Sequence, residues 1–339
     1  MRILLIMDPG LSVPPKLYGG HERLVYLFAE EYTKLGHEVT LLAGPNSHCG
    51  GTTVTFGIND LKRSKGQKFR ELLFAWKYLR QNRNHFDLVH NFGRLAYLFP
   101  ILNHRVKKIM TYGRSVAKKG IRKVNSLPNQ NLIFTACSNY CVSTGNIAGR
   151  WETVYNAIDF SKYTTAPIVE ADAPLVFLSR LDIIKGPHIA INVALKTGNK
   201  LIIAGNEPTT PDNIEYYQNC VQPFIDQEQI VYIGAVNDIQ KNELLGKCKA
   251  MLFPLSGTEA FGLVMIEAMA CGTPVIAFDH AAAPEVVDEG ISGFIVKNEQ
   301  EMLDALDKIT MIDREKCRHI AEQRFDVHVV AKEYLSLFI

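Results

Sequence analysis

Apolar residues in this chain fall into short dense runs, and between the runs they recur at helical spacing. Residues 2–7, 38–43, 86–90, 107–111 and 132–136 are rich in Ile, Leu, Val, Met and Phe, and so are 175–178, 200–204, 230–233, 250–255 and 274–278. Runs of this length without strict alternation predict strands buried on both faces, as in a parallel sheet. After the first run comes a loop over 8–20 with Pro9, Gly10, Pro14, Pro15, Gly19 and Gly20. A helix follows, apolar at Leu24, Val25, Leu27, Phe28 and Leu35 and stopped by Gly36. Residues 61–83 place Phe69, Leu72, Leu73, Trp76 and Leu79 at helical spacing, predicting a surface helix with that stripe on the sheet. Shorter helices are expected over 242–248 and 263–270, the latter built of good helix formers and ended by Gly272 and Pro274. The fold class is α/β. A chain of 339 residues is long enough for two domains, each with its own core. The aperiodic stretch 163–173 is the best linker, dividing the chain into domains 1–165 and 166–321.

Composition narrows this picture only a little. Hydrophobic content of 47% is that of a globular protein, and no apolar run has the length of a membrane span. The N-terminal run is short for a signal peptide and meets Asp8, so it reads as a core strand. The seven cysteines are odd in number and fit no disulfide framework or zinc spacing. Cys137 and Cys141, the one close pair, read as packed thiols, and a reducing cytoplasm is the simplest compartment.

Charge changes the picture more. Residues 1–160 hold 22 Lys and Arg against 10 Asp and Glu, and the remainder holds 15 against 25. A basic first half implies solubility alone or an anionic partner: membrane headgroups, a phosphorylated acceptor or nucleic acid. No recognised nucleic-acid motif accompanies it, so no nucleic acid is expected. Lys62, Arg63, Lys65, Lys68, Arg70, Lys77, Arg80 and Arg83 crowd the 61–83 segment. They suit an anionic leaflet, at the inner face of the cytoplasmic membrane.

The candidate chemistry lies in the loops between runs and helices. Residues 254–262 lead from a strand to a helix start, where unpaired N–H groups and the helix dipole favour an anion. Glu259 precedes that helix and Glu267 sits two turns further on than Glu259, where its carboxylate can take a neutral vicinal diol such as ribose. Arg180 and Lys185, five residues apart after the 175–178 run, can place a planar fork and a point charge on one diphosphate. Gly19 and Gly20 would let backbone approach a ligand closely, or form a plain turn. His90 and Asn91 end a strand, which makes them crevice residues or packed structural ones. Arg114, with Lys118, Lys119, Arg122 and Lys123 beyond it, suits an anionic acceptor.

One family gathers these features. Glu259-Ala-Phe-Gly-Leu263, then Glu267-Ala-Met-Ala-Cys-Gly-Thr-Pro-Val275, resembles the donor-site signature of retaining glycosyltransferase family 4, the glycosyl transferases group 1 with the GT-B fold. Arg180-Leu-Asp-Ile-Ile-Lys-Gly186, Asn156-Ala-Ile-Asp159 and the opening Gly19-Gly-His-Glu-Arg-Leu-Val25 are similar to further elements of that family. The resemblance implies two Rossmann-like domains with parallel sheets facing across a cleft, and a terminal helix, about 322–339, crossing back onto the first domain. It implies a hexosyltransferase moving sugar with retention from a nucleotide-sugar donor, a UDP-sugar being favoured, to a sugar, lipid-linked or phosphorylated acceptor. Arg180, Lys185 and Glu259 would carry the chemistry. Gly19, Gly20, Gly205, Gly234, Val236, Phe261, Gly262, Leu263 and Glu267 would enclose the donor. His21, His90, Asn91, Tyr112 and Arg114 would face the acceptor. No cofactor or metal is expected: the chain lacks Asp-x-Asp, and two cations already neutralise the diphosphate. It departs from the family at 112–113, where many members carry a sugar-contacting histidine and this chain has Tyr112-Gly113. The alternative is a non-catalytic nucleotide-sugar binder or partner subunit that kept the donor site.

Overall fold

The computed structural model describes residues 1–16 and 19–338. Leu17 and Tyr18 of the predicted loop, and Ile339 at the end of the predicted terminal helix, lie outside the described residues. The chain divides into two compact domains, Met1–Ala157 with Val327–Ile339, and Ile158–Asp326.

The first domain holds strands β1 (Arg2–Ile6), β2 (Glu38–Ala43), β3 (Thr52–Thr55), β4 (Leu88–Asn91), β5 (Lys107–Tyr112), β6 (Leu132–Ala136) and β7 (Trp151–Thr153). They pair in parallel in the order β3-β2-β1-β4-β5-β6-β7. The central strands are the apolar runs, buried on both faces. β3 and β7 are short edge strands without such a run, so periodicity does not reveal them. Helices α1 (Gly20–Lys34), α2 (Lys65–Asn82), α3 (Lys118–Asn125) and α4 (Asn139–Gly145) connect the strands.

α2 starts where Ser64 and Gln67 form a capping box. Only part of its expected stripe is covered: Leu79 is buried and Leu72 and Trp76 are half-buried, but Phe69 and Leu73 face solvent. Its buried residues are Glu71, Ala75 and Leu79, while Phe69, Leu73 and Phe74 are 58%, 45% and 43% exposed. The buried Glu71 accounts for the rotation. Its carboxylate takes Arg94 Nη2 at 2.7 Å and lies 3.4 Å from Arg63 Nη1. Arg94 from another segment and Arg63 just before the helix thus turn an acidic residue inward, against the apolar pattern of the helix itself.

The second domain holds β8 (Leu175–Leu178), β9 (Leu201–Ala204), β10 (Ile230–Tyr232), β11 (Ala250–Phe253), β12 (Val275–Phe278) and β13 (Gly293–Val296) in the parallel order β10-β9-β8-β11-β12-β13. Its helices are α5 (Pro187–Thr197), α6 (Pro211–Cys220), α7 (Asp238–Lys247), α8 (Leu263–Ala270), α9 (Ala283–Val286), α10 (Glu299–Leu306) and α11 (Arg314–Phe325). The aperiodic stretch 163–173 packs within this domain. Thr164 N donates to Asn242 Oδ1, Ala166 N to Cys271 O, and Arg314 Nε to Ala166 O.

The terminal segment is two helices, not one. Asp326 is extended and its carboxylate takes Phe160 N at 3.2 Å, so α11 ends at Phe325 and α12 (Val327–Ser336) starts afresh. α12 belongs to the first domain because Val330, Ala331 and Tyr334 bury there. Tyr334 meets Phe28 edge-on at 5.2 Å, and His328 Nδ1 lies 2.6 Å from Glu31 Oε1. Cys137 and Cys141 are buried, and the Cys141 thiol donates to Arg114 O at 3.2 Å.

Candidate active site

In each sheet the strand order reverses once next to the first strand of its domain, and the carboxyl ends of the two strands there open a crevice. In the second domain the reversal lies between β8 and β11. The loop after β8 carries Arg180, Asp182 and Lys185, and the loop after β11 carries Glu259 and enters α8. Lys185 Nζ lies 2.5 Å from Glu259 Oε2, with the lysine side chain 11% exposed. Arg180 Nη2 lies 2.9 Å from the buried Asp182 carboxylate, and its guanidinium stays open to solvent.

Backbone fixes the two loops to each other. Ser256 N donates to Ile184 O at 2.9 Å. Gly186 has φ +72°, and a Cβ there would stand 2.3 Å from Pro254 O, so a side chain would push the loops apart. Both cations are therefore held beside carboxylates, and an entering diphosphate would compete with Glu259 and Asp182 for them.

α8 begins after Gly262, and the first amides of a helix have no intrahelical acceptor. The Phe261 ring is buried edge-on against Phe325 at 5.7 Å, so at 261–263 it is backbone rather than the ring that can face a ligand. Further along the same edge, Gly205 N donates to Gly234 O at 2.8 Å, and Tyr232 hydroxyl to Gly205 O at 3.0 Å. Val236 is half-buried in the same loop as Gly234.

Glu267, one turn into α8, is buried and paired. Its Oε1 takes Lys241 Nζ at 2.5 Å and Tyr163 hydroxyl at 3.1 Å. Sequence reasoning did not single out these two partners. The available signal was the capping box Asn237-x-x-Gln240, which starts α7 at Asp238 and brings Lys241 inside the helix.

In the first domain the reversal lies between β1 and β4. Asp8 follows β1 and accepts from Tyr97 hydroxyl at 2.7 Å and Arg94 Nε at 3.1 Å. This cluster, with Glu71 and Arg63 behind it, also went unread in the sequence. Gly19 caps α1 and Gly20 is its first residue. His21, the next, is the one candidate here whose ring nitrogen is left unsatisfied. Its Nε2 is buried with no hydrogen-bond partner, and its ring meets Phe92 edge-on at 5.7 Å. A Cβ on Gly113 would lie 3.2 Å from that nitrogen. The strand end at 112–113 thus lacks its own histidine, and an imidazole reaches it from α1 instead. Burial, then the charge of Arg114, pull the His21 imidazole down to about 4 against the opposing pull of Asp8, so it is neutral at pH 7.

Two acceptor-side candidates are core residues. His90 is fully buried, with Nε2 2.8 Å from Thr111 Oγ1, Nδ1 3.2 Å from Tyr32 hydroxyl and its ring 4.1 Å from Phe92. Asn91, equally buried, holds the turn after β4: its Oδ1 accepts Gly93 N at 3.0 Å and its Nδ2 donates to Arg94 O. Their strand is central and covered on both sides, which lying at its carboxyl end does not reveal. Tyr112 is half-buried near Trp151, its phenol pushed up by burial, and Arg114 is exposed beside it. Among the described residues no group of three or more His, Cys, Asp or Glu is placed to hold a metal ion. No helix among them is long and apolar enough to cross a membrane.

Two doubly wound domains, one with paired cations and a helix start at its switch point, are the class of architecture that holds a nucleotide by its phosphates. Residues 165–325, almost the whole second domain, match the family model described as Glycosyl transferases group 1. An uncharacterized 41.2 kDa protein in the cps region of Klebsiella pneumoniae is 25% identical over 291 residues, covering 75% of this chain and 79% of that protein. The phosphatidylinositol N-acetylglucosaminyltransferase gpi3 subunit of Schizosaccharomyces pombe is 24% identical, over 86% of this chain and 70% of that one. Among solved structures, Anabaena HepE in complex with UDP and glucose has the same fold, with a TM-score of 0.72 at 20% identity, covering 99% of this chain and 98% of that one. Residues 165–325 thus carry the domain of glycosyl transferases group 1, and the chain is a glycosyltransferase with the two Rossmann-like domains of the GT-B class.

Proposed function

We propose that the chain transfers a sugar, with retention and without a metal, from a UDP-sugar held by the second domain to a hydroxyl of an acceptor bound over the first. The observation that carries this reading is the Lys185–Glu259 pair at the β8/β11 reversal, with Arg180 in the same loop and the α8 start beside it. As the bond to the anomeric carbon breaks, negative charge grows on the β-phosphate. Lys185, Arg180 and the amides at 261–263 stabilise that charge more than they stabilise the bound donor. Glu259, released from Lys185 by the diphosphate, would turn to sugar hydroxyls, and Glu267 would take the ribose. Gly205, Gly234 and Val236 would border the base. The leaving phosphate itself would take the acceptor proton. His21, neutral and unsatisfied at Nε2, is the first-domain group suited to a carbohydrate hydroxyl, with Arg114 and Tyr112 near it. The HepE complex holds UDP and glucose, which favours uridine here too.

The test is calorimetric titration with UDP, GDP and NAD, then transfer from the corresponding sugar nucleotides with the product anomer assigned by NMR. UDP binding and an axial product from an axial donor are expected. Tight binding without product from any donor and acceptor combination would favour the non-catalytic alternative.

Membrane contact is a second part of the proposal, carried by the rotated face of α2. Phe69, Leu73 and Phe74 face solvent among Lys65, Lys68, Arg70, Lys77 and Arg80, and the helix's one acidic residue is buried. A groove of about 670 Å³ beside them is lined by Trp76, Lys77, Arg80, Arg83 and Phe99. Aromatic residues within a basic surface suit an anionic leaflet. Co-sedimentation should follow vesicles containing phosphatidylglycerol but not pure phosphatidylcholine, and Phe74→Ser with Leu73→Ser should abolish it. Equal pelleting of the double variant would refute this contact.

A further inference from the structure

The two oxygens of Glu267 are used unequally. Oε1 takes both Lys241 Nζ and the Tyr163 hydroxyl, while Oε2 has no partner among the described residues. Both partners are themselves fixed. The Asn237–Gln240 capping box sets the start of α7, and Asp238 lies 3.4 Å from Lys241 Nζ. Tyr163 is held through its backbone, N to Phe160 O at 3.1 Å and O from Arg318 Nη1 at 3.0 Å. Burial, then the Glu267 carboxylate, push the Tyr163 phenol up, so it stays protonated and donates. A buried carboxylate without a counter-charge is costly and is free to turn; one gripped at Oε1 by a cation and a hydroxyl is held in one orientation.

We propose that Lys241, with Tyr163, is a positioning pair that pins Glu267 through Oε1 and so reserves Oε2 for a ribose hydroxyl of the bound nucleotide. This rests on the donor-site reading above and deepens it. Lys241 then sets how strongly the site distinguishes ribose from deoxyribose without itself touching the sugar. A carboxylate aimed correctly before binding loses no free energy to reorientation, whereas an unpinned one must be ordered by the ligand.

The experiment is calorimetry on the full chain with UDP, GDP and their 2′,3′-dideoxy forms. Wild type should bind the ribose form about tenfold or more tightly than the dideoxy form, the scale of one hydrogen bond to a charged group. Lys241→Met should bring that ratio close to one, and Lys241→Arg should largely restore it. In a Glu267→Gln background Lys241→Met should change the ratio no further, since the lysine acts through that carboxylate. Tyr163→Phe, which keeps the ring, should give an intermediate ratio and serves if Lys241→Met does not fold. A Lys241→Met or Tyr163→Phe protein that binds nucleotide with the wild-type ratio overturns the proposal. So does a ratio that Lys241→Met lowers equally in the Glu267→Gln background. Absence of UDP and GDP binding by wild type is a different result, and overturns the donor site itself.

Discussion

Removing the Lys185 ammonium should separate nucleotide binding from folding in a way that can be calculated. A hydrogen bond between charged groups contributes about 1.5–3 kcal/mol, so Lys185→Ala should weaken UDP about 10- to 150-fold. With UDP at about one hundred times the wild-type Kd, wild type gains roughly 2.7 kcal/mol, a Tm rise of about 5–10 °C for a domain of this size. The variant at the same UDP concentration retains at most roughly 1.4 kcal/mol, half the shift or less. The pairing adds a control. Lys185 Nζ lies 2.5 Å from Glu259 Oε2, so the lysine's loss also strands a partly buried carboxylate and lowers the Tm of the nucleotide-free protein. Adding Glu259→Gln removes that stranded charge and should recover the nucleotide-free Tm without recovering the UDP shift. The assay is differential scanning calorimetry of wild type and both variants, with and without UDP. A full wild-type shift in Lys185→Ala would refute the phosphate role. A UDP shift recovered in the double variant would show that Lys185 only neutralises Glu259.

The remaining predictions concern the scaffold around the two crevices. The folded His21 imidazole is depressed from 6.5 to about 4, so the unfolded chain takes up its proton first as pH falls, and stability from this group declines from about pH 6.5 to pH 4. The full difference is about 3 kcal/mol, and His21→Gln should remove that part of the pH dependence in urea titrations; an unchanged slope would refute it. Gly205→Ala places a Cβ 1.8 Å from Ser179 O at φ +145°, and should cost about 1–3 kcal/mol of strain, read as a lower Tm together with weaker UDP binding. Arg94→Met leaves Asp8 without its cation and Glu71 with only the looser Arg63 pair, and should cost about 3 kcal/mol in urea unfolding. Wild-type stability in that variant would show the cluster to be energetically idle.

The fold class, most central strands and the loops that carry Arg180, Lys185 and Glu259 were legible in the chain because each rests on local pattern. Unbroken apolar runs predict buried parallel strands, and Arg180, Lys185 and Glu259 lie in short loops directly after such runs. The resemblance added the family, which pattern alone does not name. The edge strands β3 and β7 were illegible because a strand paired on one side need not be apolar on both faces. The orientation of α2 was illegible because Glu71 is drawn inward by Arg94, a residue from another segment, as well as by Arg63 just before the helix. His90 and Asn91 looked like crevice residues from their place at a strand end, yet the packing of Phe92, Tyr334 and Tyr32 closes over that histidine. Tertiary structure alone also brought His21 against Gly113, and Lys241 with Tyr163 onto one oxygen of Glu267. Local pattern decides which segments become strands and helices, since it reflects burial averaged along an element. Which charge meets which depends on contacts between distant segments, and no spacing in the sequence records those.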